Sequence, residues 1–90
     1  MNPSDRMKIP RHVMARQVGE DCVMLDLANG TYYGLNPVGA HVWQLLGEGK
    51  SLGEVCAAVV EEFEVPHELA QADVLDLVKD LQEHGLVEAP

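Results

Sequence analysis

Hydrophobic and polar residues alternate in the first part of the chain and then recur at helical spacing. Three short segments, at residues 13–18, 22–27 and 31–35, alternate or are rich in aromatic and β-prone residues, which predicts three β-strands. From Pro37 onward, apolar residues recur every three or four positions, which predicts amphipathic helices. The pattern therefore predicts an α+β domain in which a three-stranded antiparallel sheet precedes three helices.

Each predicted helix carries its own start or stop signal. These signals are Asn36 followed by Pro37, the capping box of Ser51 and Glu54, Pro66, and a left-handed cap at Gly85. We expect the first helix at about 37–46, the second from Ser51, and the third at about 66–84. The second and third helices, joined by Val65-Pro66, can form a helix-turn-helix, with the hairpin beside it as a wing.

The hairpin between the second and third strands has a register that the apolar pattern can address. A three-residue loop with Gly30 in the left-handed position would pair Leu25 with Tyr33 and Val23 with Leu35. That register places most of the large apolar residues on one face, together with Leu27, and turns Tyr32 and Gly34 away from the core. We therefore expect Val23, Leu25 and Leu27 to face the core.

The distribution of charge limits which kinds of partner the protein can bind. The net charge is −9, and residues 48–90 carry eleven acidic residues against Lys50 and Lys79. Such a surface repels phosphate backbones, so nucleic acid is not an expected partner. The acidic helices either keep a small domain soluble or steer a basic partner. No apolar run is long enough to cross a membrane, and residues 1–11, which lack a signal-peptide pattern, are expected to be a flexible start to a cytoplasmic protein.

Residues that could support catalysis are scattered along the chain. Cys22 and Cys56 lack metal-ligand spacing and a base nearby in the pattern, and the four histidines fall on unrelated elements. Gly49-Lys50-Ser51 ends like a phosphate-binding loop but has Gln44 where that motif needs glycine. We therefore expect no enzyme activity, no metal and no cofactor.

Several of these segments together resemble the PqqD-like family of peptide-binding domains, also called RiPP recognition elements. The resemblance covers about residues 12–87 and rests on Leu25-Asp26, Gly30 to Pro37, Val42 to Leu46, Ser51 to Val55, Asp73-Val74, Leu81 and Gly85-Leu86. It implies that residues 12–90 form a winged helix-turn-helix that has lost DNA binding. It also implies a role in RiPP biosynthesis, in which the domain binds the leader of a ribosomally made precursor peptide and presents it to a modifying enzyme.

The resemblance also implies where the leader binds and what receives it. The leader would add as a strand to residues 31–35 and lie against the third helix, and the enzyme would be a radical enzyme, a cyclase or a leader peptidase. The motif around Tyr32 is more similar to the lasso-peptide branch. The expected peptide-binding residues are Thr31, Tyr32, Tyr33, Gly34, Leu35, Asp73, Leu75, Asp76, Lys79 and Asp80. Of these, Leu75 and Tyr32 are expected to be apolar anchors, and the aspartates to hold a basic leader residue.

Two other functions compete with peptide binding. A winged-helix DNA-binding regulator is opposed by the acidic third helix, and a small acidic carrier protein is opposed by the hairpin and by Lys50 before Ser51. An exposed strand edge can also pair with its own copy, so a monomer and a strand-paired dimer both stay open.

Overall fold

A computed structural model describes residues 1–90 and confirms the predicted order of elements. The elements are β1 (Val13–Val18), β2 (Asp21–Asp26), β3 (Thr31–Leu35), α1 (Pro37–Gly47), α2 (Leu52–Phe63) and α3 (His67–Glu83). The three strands form an antiparallel sheet in the order β1-β2-β3, so the central strand is β2. This is the α+β fold that the sequence predicts. None of its helices combines the length and apolar character that crossing a membrane requires.

The predicted helix ends are formed by the residues that signal them. The side-chain oxygen of Asn36 accepts a hydrogen bond of 2.8 Å from the backbone N–H of Gly39. Ser51 and Glu54 complete a reciprocal capping box at the start of α2. After α3, Gly85 has a φ of +72°, and the N–H of Leu86 donates to the carbonyl of Leu81. These bonds satisfy backbone groups that a helix end would otherwise leave unpaired.

The core lies between one face of the sheet and the helices. We call this face the inner face and the opposite one the outer face. Its centre consists of Met24 from β2 together with apolar residues that the helices contribute, among them Val42, Leu46, Leu52, Val55, Val59, Val74 and Val78. The outer face is left uncovered by helices, and Met14, Val23 and Tyr32 are exposed on it.

The predicted register of the β2–β3 hairpin is wrong. Asp26 pairs with Thr31 and Met24 with Tyr33, so the loop comprises the four residues 27–30 rather than three. The shift of one residue turns β2 over. Cys22, Met24 and Asp26 are buried, whereas Val23 and Leu27 are exposed and Leu25 is half-buried. Tyr33 and Leu35 do pack against the core, and Tyr32 and Gly34 do point away from it, as predicted.

Hydrogen bonds within the loop explain the longer turn. The buried carboxylate of Asp26 accepts a hydrogen bond from the N–H of Ala28 at 2.9 Å. The backbone carbonyl of Asp26 accepts another from the N–H of Gly30 at 2.7 Å. The side chain of Asn29 accepts from the N–H of Thr31 at 2.9 Å. Because the loop satisfies its own backbone donors in this way, a polar residue can occupy the inner face at the end of β2.

Residues 1–11, for which the sequence predicts flexibility, lie against the rest of the domain. The carbonyls of Pro3 and Asp5 accept the N–H groups of Gly53 and Leu52 at 2.8 and 2.9 Å. Lys8 forms a two-way backbone bridge with Glu88, and Met7 is buried in the core. The mobility of this segment stays a prediction, and these contacts define how to measure it.

Candidate functional site

The sheet has two unpaired edges, and one of them is β3. In an antiparallel sheet each residue directs its backbone N–H and C=O to one side, and successive residues alternate. The N–H of Leu27 donates to His12, so the odd-numbered residues of β2 pair with β1 and the even-numbered ones pair with β3. Consequently, Tyr33 points its backbone groups inward to β2, while Tyr32 and Gly34 direct theirs to the open edge.

Gly34 and Tyr32 differ in what they present beside that edge. A Cβ atom built on Gly34 would meet nothing within 4 Å, so the fold itself does not require glycine there. Tyr32 is 70% exposed on the outer face, one of the largest exposed apolar side chains of the chain. The edge thus offers two backbone donors and two acceptors, an open space over Gly34 and an aromatic ring next to it.

An aromatic contact shows which flank of α3 faces this edge. The rings of Tyr33 and His84 meet edge to face with their centroids 5.1 Å apart. In a helix, residues spaced by three or four positions share a face. Asp73, Leu77 and Asp80 therefore lie on the same flank as His84. This face is termed the β3-facing flank.

The β3-facing flank combines acidic groups with a partly apolar floor. Leu77 is half-buried, while Asp73 and Asp80 are exposed. Asp80 also contacts His84 twice, because its carbonyl oxygen lies 2.8 Å and its Oδ1 3.5 Å from the His84 Nδ1. Leu77 and His84 are absent from the residues predicted for the site. Their spacing from Asp73 and Asp80 was the available signal.

Three residues predicted for the site lie elsewhere on α3. Leu75 lines a cavity of about 120 Å³ together with Met1, Pro3 and Cys56, on the side where the N-terminal segment lies. Lys79 follows Leu75 by four positions and so shares this opposite flank. Asp76 is exposed between the two flanks. The structure therefore places Asp73 and Asp80 on the flank of α3 whose end contacts β3 (residues 31–35), and places Leu75 and Lys79 on the opposite flank.

The two thiols have no partner that would activate them. Burial raises the pKa of both Cys22 and Cys56, which keeps them protonated at neutral pH. Both are free, so no disulfide connects the sheet to the helices. At the strand edge, the groups available for contact are backbone donors and acceptors, the Tyr32 ring and the carboxylates of the β3-facing flank.

An open strand edge beside an acidic helix flank defines a class of protein that captures an extended peptide by completing its sheet. The chain belongs to the PqqD family, because residues 21–87 match the family model described as coenzyme PQQ synthesis protein D. Among curated protein sequences, none matches this chain significantly.

Two solved structures share the fold over nearly the whole chain. One, TbiB1 in complex with the TbiA(beta) leader peptide, is 34% identical with a TM-score of 0.85, and the match covers 90% of this chain and 94% of that one. The other, a lasso peptide synthetase B1 complexed with the leader peptide, is 29% identical with a TM-score of 0.83, and the match covers 91% and 96% of the two chains. Both of these proteins bind a leader peptide.

Proposed function

We propose that this protein binds the leader of a ribosomally synthesised precursor peptide and presents it to a modifying enzyme or leader peptidase. The observation that carries the proposal is the unpaired edge of β3, where the backbone groups of Tyr32 and Gly34 face outward beside the β3-facing flank of α3. Its similarity to two proteins solved with leader peptides, one of them a lasso peptide synthetase B1, supports a lasso-peptide pathway.

Backbone pairing alone is too weak to hold a leader. The four outward-facing groups would contribute roughly 2 to 6 kcal/mol, at about 0.5–1.5 kcal/mol for each hydrogen bond. Micromolar affinity requires about 8 kcal/mol beyond the cost of ordering the peptide. Side chains must therefore supply the remainder.

Two kinds of leader side chain fit the surroundings of the edge. An apolar side chain would pack beside Tyr32 or over the half-buried Leu77, and a basic one would lie near Asp73 and Asp80. The negative charge of this flank favours a basic leader side chain. The closest basic group that the protein itself places there is His84, which already contacts Asp80. We expect a leader with a lysine or arginine near its apolar anchor.

The protein acts in this proposal as a binding partner, and the chemistry belongs to the enzyme that receives the leader. The two free, buried thiols are the usual state in a reducing compartment, which agrees with a cytoplasmic site of synthesis and processing. The carrier alternative is disfavoured by the three-stranded sheet that precedes the helices and by Lys50 before Ser51. The DNA-binding alternative is disfavoured by the acidic residues of α3.

Replacing Gly34 tests whether its outward-facing backbone N–H binds the leader. Proline removes an N–H that faces the open edge and leaves the bonds to β2 intact, so the fold is retained. We expect Gly34→Pro to weaken binding of the cognate leader by more than about tenfold, since it removes one ladder bond and blocks close approach. Fluorescence anisotropy with a labelled leader measures the affinity.

The matched control is Gly34→Ala, which keeps the N–H and places its Cβ in open space. We expect its affinity to fall by less than about threefold, the range of small surface changes. Far-ultraviolet circular dichroism verifies that both variants are folded. A folded Gly34→Pro variant that binds the leader as tightly as the parent protein would refute strand addition at β3.

A further inference from the structure

The other unpaired edge of the sheet, β1, is also built for strand addition. The same alternation that orients β3 directs the backbone groups of Val13, Ala15 and Gln17 away from β2. The N–H of Val13 already donates to Pro10, at 3.2 Å, which leaves Ala15 and Gln17 as the free positions. Nearly all of β1 is exposed, and long exposed edges are usually covered or paired in working proteins.

A cleft lies beneath β1 on the inner face. The helices cover β2 and leave the inner side of β1 open. The resulting cleft has a volume of about 420 Å³. We call it the β1 cleft, and its walls include Ala15, Gln17, Glu20, His41, Glu62 and Phe63. The rings of His41 and Phe63 meet edge to face, 5.8 Å apart, and both line the cleft, where an aliphatic chain can pack against them.

The charges of the β1 cleft have one sign. Glu20 and Glu62 are exposed carboxylates at the cleft, and its lining includes no lysine or arginine. Arg16 projects from the opposite, outer face of β1, because neighbouring residues of a strand alternate between faces. A basic side chain entering from the edge would therefore meet two carboxylates and two aromatic rings.

The outer face next to β1 has the complementary character. Met14 and Val18 are 59% and 55% exposed there, on the two sides of Arg16. A strand added to β1 would send alternate side chains into the cleft and over Met14 and Val18. The side chains that fit are basic where they enter the cleft and apolar where they lie over Met14 and Val18.

We propose that β1 and the β1 cleft bind an extended segment of a protein partner in which basic and apolar residues alternate. A second copy of this chain is a poor occupant, since its own β1 would place Ala15 and Gln17 in the cleft and leave both carboxylates unpaired. Two copies with a net charge of −9 each also repel one another. The two edges lie on opposite sides of β2, so occupation of β1 leaves β3 free.

The test uses synthetic peptides and the Gly34→Pro variant, in which the β3 edge is closed. The probe is acetyl-(Lys-Val)4-amide at about 0.15 M salt, where distant charges are screened. We expect saturable binding, with amide chemical-shift changes at Ala15 and Gln17 and at the indole of Trp43, which also borders the cleft. Acetyl-(Lys-Pro)4-amide has the same charge but lacks half of the strand donors, so it should bind about tenfold more weakly.

Variants of β1 complete the test. Gln17→Pro, whose lost N–H faces the open edge, should reduce affinity for acetyl-(Lys-Val)4-amide by about tenfold, and Glu62→Gln by about two- to fivefold. In the background with Gly34 intact, Gln17→Pro should bind the leader normally, which separates this inference from the function of β3.

Three results would overturn the proposal. Equal binding of the two lysine peptides would mean simple charge attraction. Shift changes confined to residues of α3 would place the peptide elsewhere. A concentration-dependent dimer that Gln17→Pro converts to monomer would assign β1 to a second copy of the chain.

Discussion

Asp26 is the residue at which polarity and burial disagree most. It is the single charged side chain that the fold buries, 3% exposed, and it lies at the end of the central strand. Its Oδ1 accepts the N–H of Ala28 at 2.9 Å and lies 3.8 Å from the Nε2 of His12. A buried carboxylate is stable only when such donors surround it. The residue thus fixes the turn that sets the register of the whole hairpin.

Removing this carboxylate should destabilise the fold. We expect Asp26→Ala to lower the free energy of unfolding by about 1–3 kcal/mol, because the N–H of Ala28 loses its acceptor. Asp26→Asn keeps an oxygen at the same position and should retain most of the stability. Urea denaturation of both variants measures the difference, and an alanine variant as stable as the parent would show that the turn does not depend on Asp26.

Among the elements, the helices were predictable and the hairpin register was not. Asn36, Ser51 and Gly85 are local signals, and each acts on backbone groups within a few residues, so the sequence alone is sufficient. The loop from Leu27 to Gly30 admits two, three or four residues. Counting large apolar residues selected the wrong length, since the outer face of β2 is the more hydrophobic of the two.

The observed register of β2 can be tested by comparing two neighbouring residues, Met24 and Val23. Met24 is fully buried, whereas Val23 is 36% exposed. We expect Met24→Ala to reduce the free energy of unfolding by about 2–5 kcal/mol through a core cavity. Val23→Ala should cost less than about 1 kcal/mol, since it leaves no cavity. The register expected from the sequence gives the opposite order, so urea denaturation of the pair discriminates between them.

The capping box of α2 gives the fold a dependence on pH. The N–H of Ser51, which donates to the Glu54 carboxylate at 2.9 Å, is the main reason that the pKa of Glu54 lies below its ordinary value. A lowered pKa means that the ionised form stabilises the folded state above the ordinary value of 4.5, and that this contribution is lost as the pH falls through the lowered pKa.

Glu54→Gln isolates that charge, because glutamine can form the same hydrogen bond. We expect the variant to be less stable than the parent protein at neutral pH and the difference to close in acid. Denaturant titrations at about pH 7 and about pH 3 measure it. A difference that is the same at both pH values would mean that ionisation of Glu54 contributes nothing to stability.

The candidate site was also predictable only in part, because the sequence identifies each element but not how α3 is oriented against β3. Alternation and aromatic content identified residues 31–35 as a strand, and its position at the sheet edge followed from the order of strands. The apolar stripe of α3 shows which residues are buried, but it does not show which flank faces β3. The Tyr33–His84 contact decides that question, and it joins residues far apart in the chain.

For the molecule as a whole, the N-terminal segment contributes contacts to the core and to the start of α2. Met7 is 4% exposed in the core, and the carbonyls of Pro3 and Asp5 satisfy the free N–H groups at the start of α2. Its apolar and polar residues show no periodicity in the sequence. The partners of Met7 are supplied by distant segments, and a local pattern could not have revealed them.

Met7→Ala should destabilise the protein by about 2 kcal/mol, at the low end of the range for buried methionine. Met14→Ala, at a 59% exposed position, is the matched control and should change stability by less than about 0.5 kcal/mol. Hydrogen exchange provides a second measurement, because the amides of Leu52 and Gly53 should be protected by Asp5 and Pro3. Exchange of those amides at the rate of free peptide would mean that the segment is flexible, as its sequence predicts.

The bridge between Lys8 and Glu88 has a consequence for how this fold can be combined with others. Two backbone hydrogen bonds, of 2.9 and 2.7 Å, hold these residues side by side near the opposite ends of the chain. A domain whose first and last segments pass side by side in this way is suited to insertion into a surface loop of a larger protein. An enzyme could therefore carry this module within its own polypeptide and keep β3 exposed to its substrate.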